Sequence, residues 1–173
     1  MHDLILFDEG PDDIIITFNR PEKRNALNYR MRQELFDRLS SLKESRKTIR
    51  FKAIGPCFCA GLDIKEDLTE SDLQMFRDII SLIRNHTANT SSFIDGTVRG
   101  GGVILARSCD EMYATINSNF SIPNLSFSNN QFVKQTLRSF IEEHHLLAAL
   151  SEDDLPWSAE MALESGLINA ISY

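Results

Sequence analysis

Three consecutive glycines, Gly100-Gly101-Gly102, stand between Thr97-Val98-Arg99 and the apolar run Val103-Ile104-Leu105-Ala106. Glycine costs backbone entropy inside a helix or strand, so this run marks a turn, one that opens into a helix. A second turn of small residues, Phe58-Cys59-Ala60-Gly61-Leu62-Asp63, comes after a strand-like segment. Backbone N–H groups freed at such turns form anion sites, and glycine lets a ligand approach them closely. Two such groups converging on one carbonyl oxygen would make an oxyanion hole. Taken alone, a triple glycine is more often a tight turn or a close packing contact.

The rest of the chain alternates strand and helix signals. Leu4–Phe7 and Ile14–Phe18, joined by Gly10-Pro11-Asp12-Asp13, predict a hairpin. From Asn28, a good N-cap, apolar residues at Met31, Leu35, Leu39 and Leu42 predict an amphipathic helix. A short strand over Phe51–Ile54 stops at Gly55-Pro56. A second helix is predicted from Ser71, where Ser71 and Gln74 have capping-box spacing, with Leu73, Phe76, Ile79, Ile80 and Ile83 as its buried stripe. A polar stretch, Thr87–Ser92, leads to a brief strand at Phe93-Ile94, and Met112–Ile116 reads as another strand. Helix is predicted over Ser128–Leu150 and Ser158–Glu164, the latter closed by Gly166, with a closing strand in Leu167–Ile171. The class is α/β, and without linker or repeat we expect one domain over residues 1–173.

Composition narrows the options. The formal charge is −7, and 42% of the residues are hydrophobic, as in ordinary globular chains. No apolar run reaches transmembrane length, and Met1-His2-Asp3-Leu4 lacks a basic stretch followed by an apolar one. Cys57, Cys59 and Cys109 form no disulfide framework, so a reducing, cytoplasmic location is expected. Charge is unevenly placed. Residues 20–52 hold eleven Lys/Arg against four Asp/Glu, leaving −14 on the remainder. This asymmetry fits either an anionic ligand near the basic segment or a helix with a solvated basic face.

Read in order, several blocks carry a resemblance. Asn19-Arg20-Pro21-Glu22-Lys23-Arg24-Asn25-Ala26-Leu27-Asn28 resembles the opening motif of the crotonase (enoyl-CoA hydratase/isomerase) superfamily. Phe58–Ile64 is similar to its second block, and Gly96–Gly102 followed by Cys109-Asp110 to its third. Phe120-Ser121-Ile122-Pro123 resembles the next segment, and Ser158–Asn169 the late A-x-x-A-x-x-x-G-L-[IV] block. The resemblance implies a crotonase-like spiral of ββα units in two roughly perpendicular sheets. It implies an acyl-thioester ligand, usually acyl-CoA, with CoA as part of the substrate and no separate cofactor or metal. By position, Leu62 and Gly101 would donate the oxyanion-hole N–H groups. Substrate would lie against Lys23, Arg24, Ala26, Ala60, Gly61, Asp63, Ile64, Gly100, Gly102, Ile104, Pro123 and Asn124. Lys23 and Arg24 would then face CoA phosphates. The family default is a trimer, so a homo-oligomer is expected.

The departures from the family pattern are as informative. Hydratases resembling it carry one glutamate two residues after the triple glycine and another immediately after the later proline. Here Ile104 and Asn124 stand there, and neither can exchange a proton near neutral pH. No Asp or Glu lies between Glu111 and Glu142. The chain also stops directly after its last block, where typical members continue into a helical region that covers the acyl pocket. The sequence therefore favours decarboxylation or thioester cleavage over hydration. A non-catalytic acyl-CoA binder or partner subunit is the alternative. RNA binding through the basic helix is a weaker one, since no aromatic stacking platform accompanies it. His144-His145, Asp95, Tyr113 and Arg99 are further polar candidates. Surface placement is the simpler reading of the histidine pair, and turn capping that of Asp95. Packing is the simpler reading of Cys59.

Overall fold

β-Branched residues at Ile14, Ile15, Ile16 and Thr17 build the second strand of the hairpin that opens the computed structural model, which describes residues 3–121 and 156–172. Strand β1 (Ile5–Glu9) pairs antiparallel with β2 (Asp13–Phe18), in the register Ile5 to Phe18. Helix α1 (Tyr29–Ser41) starts where Asn28 accepts a hydrogen bond from the Met31 N–H, and its buried residues include Met31, Leu35 and Leu39.

From here the chain repeats one unit. Strand β3 (Thr48–Ala53) is followed by β4 (Cys57–Cys59) and helix α2 (Glu70–Arg84); β5 (Thr90–Ile94) by β6 (Thr97–Arg99) and helix α3 (Gly101–Arg107); β7 (Glu111–Thr115) by β8 (Asn119–Ser121). The first strands of the units pair in parallel with one another, β3 with β5 and β5 with β7. The second strands do the same in another sheet, β4 with β6 and β6 with β8. Each unit thus adds one strand to each sheet, which is the ββα spiral the resemblance implies. β9 (Trp157–Ser158), helix α4 (Ala159–Glu164) and β10 (Ala170–Ser172) complete a six-stranded sheet, β1-β2-β3-β5-β7-β10, and a four-stranded one, β4-β6-β8-β9. One core joins the elements, from Ile14, Ile16 and Phe18 on β2 to Phe76 and Ile80 on α2 and Val103 to Ala106 on α3.

Some elements depart from the sequence reading for local reasons. The capping box of α2 is made by Thr69 and Asp72, which exchange hydrogen bonds with each other's backbone N–H, and not by Ser71 and Gln74. Strand β5 begins inside the polar stretch at Thr90. Its polar residues are spoken for: Asp110 accepts from the Thr90 N–H and hydroxyl, and the Ser92 hydroxyl donates to the Ala106 carbonyl. Strands β4, β8 and β9, of two or three residues each, went unread because so short a run has no measurable period. Pro123, Asn124, the helix expected over 128–150 and His144-His145 lie outside the described residues.

Candidate active site

The turn after β4 is built by an isolated parallel bridge between Leu27 and Leu62. The Leu27 N–H donates to the Gly61 carbonyl at 2.8 Å, and the Asp63 N–H donates to the Leu27 carbonyl at 3.1 Å. In a parallel bridge these two bonds flank the middle residue, so the N–H of Leu62 points away from Leu27. It points toward the glycine turn. A Cβ on Gly61 would sit 2.9 Å from the Gly101 nitrogen, and one on Gly101 would sit 3.5 Å from the Leu62 nitrogen. Gly61 has φ +91°, where a side chain is strained as well as obstructed. Gly102 is pressed as closely on the other side, its missing Cβ falling 2.9 Å from the Cβ of Cys59.

Two backbone donors are therefore held side by side. Among the described residues, no acceptor takes the N–H of Leu62 or that of Gly101. Both residues are buried, and a buried N–H without an acceptor costs free energy. Gly100, with φ 51°, is the N-cap of α3, so the Gly101 N–H is one of the donors a helix start leaves unpaired. The ring of Phe76 closes one side, 3.3 Å from where a Gly101 Cβ would be. The arrangement suits an oxygen bearing partial negative charge.

The opening-motif loop braces this turn. The Ala60 N–H donates to the Arg24 carbonyl at 3.0 Å. Arg24 and Asn25 both have positive φ, 53° and 52°. Asn25 is fully buried and holds that shape by accepting from the Arg20 N–H and donating to the carbonyls of Ile54 and Cys57. The Arg20 guanidinium donates to Asp63 at 2.7 Å and to the Ala26 carbonyl at 2.9 Å. Burial alone would raise the Asp63 pKa, but the bonds from Arg20 and the Lys65 N–H, with both positive charges, bring it below the ordinary range.

Asp63 is thus committed to Arg20 and to its own turn, which makes it a structural member of the site. Lys23, Arg24 and Ile64 are exposed, Ile64 at 91%, beside the turn that carries Leu62. Ala26 and Ala60 are half-buried, and Gly100 and Gly102 hold the donor loop. Ile104 is fully buried in the core one turn beyond Gly101. Cys59 is buried and packs under the turn, its thiol pushed up to about 12 by burial. Asp95 accepts from the Thr115 hydroxyl at 3.2 Å, a turn contact. Tyr113 is hydrogen bonded to Glu111, which raises its pKa. Sequence reasoning missed Leu27, Phe76 and the Arg20–Asp63 pair as parts of the site. Phe76 read only as one apolar position among five on α2.

The basic segment resolves differently from its composition. Arg20, Arg30, Arg32, Arg38, Lys47 and Arg50 are paired with Asp63, Glu34, Glu66 and Asp72, Glu9, Glu9 and Asp13 respectively. Most of those acids come from outside the segment, so the local excess is largely neutralised in the fold.

The match to known proteins is decisive. A family model described as enoyl-CoA hydratase/isomerase matches residues 13–172. The chain belongs to the enoyl-CoA hydratase/isomerase family. The rat protein named enoyl-CoA hydratase domain-containing protein 3, mitochondrial, is 30% identical over 168 residues, covering 90% of this chain and 55% of its own. The human protein named enoyl-CoA hydratase domain-containing protein 2, mitochondrial, is 37% identical over 112 residues, covering 58% of this chain and 38% of its own. Among solved structures, human enoyl Coenzyme A hydratase domain-containing protein 3 matches with a TM-score of 0.81 at 25% identity, over 98% of this chain and 70% of that one. Pseudomonas aeruginosa AtuE shares the fold with a TM-score of 0.85 at 22% identity, over the same shares of the two chains. The chain thus spans about half the length, or less, of these curated family relatives.

Proposed function

We propose that this chain binds an acyl thioester carried by CoA and stabilises negative charge on its carbonyl oxygen through the N–H groups of Leu62 and Gly101. The observation that carries the reading is the placement of these two unpaired donors against each other across Gly61. Lys23 and Arg24, exposed, without an ion-pair partner among the described residues and next to the turn that carries Leu62, are the cations we assign to the CoA phosphates.

The reaction that fits is decarboxylation of a malonyl-type thioester, or thioester cleavage by water, rather than hydration. In decarboxylation the bond to the carboxylate carbon breaks and carbon dioxide leaves. The electron pair enters the thioester as an enolate, whose oxygen takes both N–H donors, and a proton from water then completes the product. No side-chain base is needed, which matches Ile104 and Asn124 at the two glutamate positions. The full burial of Ile104 among apolar residues also favours a second reading, an acyl-CoA binder without turnover. A homo-oligomer belongs to the same proposal, on family resemblance, and sedimentation checks it.

The test is to incubate the protein with malonyl-CoA and with a medium-chain acyl-CoA, following carbon dioxide and free thiol. Release of either product that Gly101→Pro abolishes supports catalysis. Tight binding with no product selects the binder. Product formation untouched by Gly101→Pro overturns the site.

A further inference from the structure

Arg32 is the one arginine in the basic segment whose side chain is almost wholly buried, at 1% exposure. Its guanidinium donates to the Leu27 carbonyl at 2.8 Å, to Glu66 at 3.0 Å and to Asp72 at 2.6 Å. Its Nε is buried with no partner. Burying a guanidinium with one donor unsatisfied is an expensive way to pack a helix, and an apolar residue of similar volume often serves stability as well or better. Two of the bonds it does make fall on the bridged pair of segments, Leu27 on one side and Glu66 on the other. The Leu27 carbonyl also receives the Asp63 N–H. Glu66 lies three residues further on, with its N–H donating to the Asp63 carbonyl and its carboxylate accepting from the Tyr29 N–H at the start of α1.

We infer that Arg32 is a positioning residue, which sets the direction of the Leu62 N–H by holding both the Leu27 carbonyl and Glu66 at the edges of the 62–66 turn. Among the described residues, no acceptor fixes the Leu62 donor directly. Its orientation follows from the two bridge bonds on either side, and Arg32 locks the acceptor of one of them. Asp72, which also closes the α2 capping box, anchors the guanidinium from the far side. The consequence for acyl-thioester binding rests on the function proposed above. The mechanical part does not.

The test uses Arg32→Met, with Arg32→Lys as a second variant that keeps the charge but lacks the fork to span Leu27 and Asp72. Leu39→Ala, a core truncation on the same helix, is the stability control. Two readouts are taken on the whole chain. Hydrogen exchange of the Asp63 amide, without ligand, is expected to quicken about tenfold in both Arg32 variants relative to β2 and β3 amides, the size of one lost hydrogen bond. The preference for hexanoyl-CoA over free CoA is expected to fall about tenfold in the Arg32 variants and to stay in Leu39→Ala, since general loosening weakens both ligands alike. Unchanged Asp63 exchange in both Arg32 variants overturns the inference, as does equal loss of preference in Leu39→Ala. If the unaltered protein shows no preference for hexanoyl-CoA, the proposed function fails, and the exchange result still decides the role of Arg32.

Discussion

Two glycines govern the site through what they lack. Gly61→Ala would place a methyl 2.9 Å from the Gly101 nitrogen on a backbone at φ +91°, and we expect it to lower stability by more than about 1 kcal/mol in a denaturant melt. Gly101→Pro acts differently. Proline is tolerated at the first helical position, so the variant should fold while losing its N–H, with turnover falling about 100-fold or more. Ile104→Glu puts a carboxyl where the surroundings are apolar. Burial raises the pKa of such a group, so the variant's deficit should be smallest near pH 4 and grow by about 2 kcal/mol or more as pH rises toward 7. A pH series of thermal melts against the parent checks the sign. The glycine turns were legible in the sequence because backbone demands narrow the choice of residue there. Arg32 was not, because a buried arginine and a solvated one look the same in a run of basic residues.

At the scale of elements, the loop that precedes α1 and the turn after β4 behave as one piece, tied by the Leu27–Leu62 bridge and by Arg20 to Asp63. The Asp63 pKa is lowered in the fold, so this tie contributes stability above the ordinary aspartate value of about 3.9. The contribution is lost as pH falls through the lower folded value. Asp63→Asn is expected to lose stability at pH 7 and to show a shallower decline between pH 5 and pH 3 than the parent, measured by urea midpoints. Longer elements were legible where a period of 3.6 or a β-branched run extended over several residues, as in α1, α2 and β2. Of β5 only the end, Phe93-Ile94, was legible, because Thr90, Ser91 and Ser92 lack apolar alternation; Thr90 is held by Asp110 and Ser92 by the Ala106 carbonyl. The α2 start was misplaced by two residues, since Ser71-Gln74 and Thr69-Asp72 offer the same spacing.

For the whole molecule, the order of motif blocks carried the spiral, and the pairing of β3, β5 and β7 beside that of β4, β6 and β8 bears it out. Charge was the misleading global quantity. A sum over residues 20–52 cannot show that Glu9, Asp13, Asp63, Glu66 and Asp72 fold back onto it. Association with CoA is therefore expected to carry a modest salt dependence, set by Lys23 and Arg24 rather than by the whole segment. The most direct test of the account is a calorimetric titration with CoA, acetyl-CoA and hexanoyl-CoA, on the parent and on Gly101→Pro. The account predicts saturable binding that tightens when the acyl group is present, with that gain lost in Gly101→Pro while free CoA still binds. Absence of binding by all three, or an acyl gain that Gly101→Pro leaves intact, would contradict it.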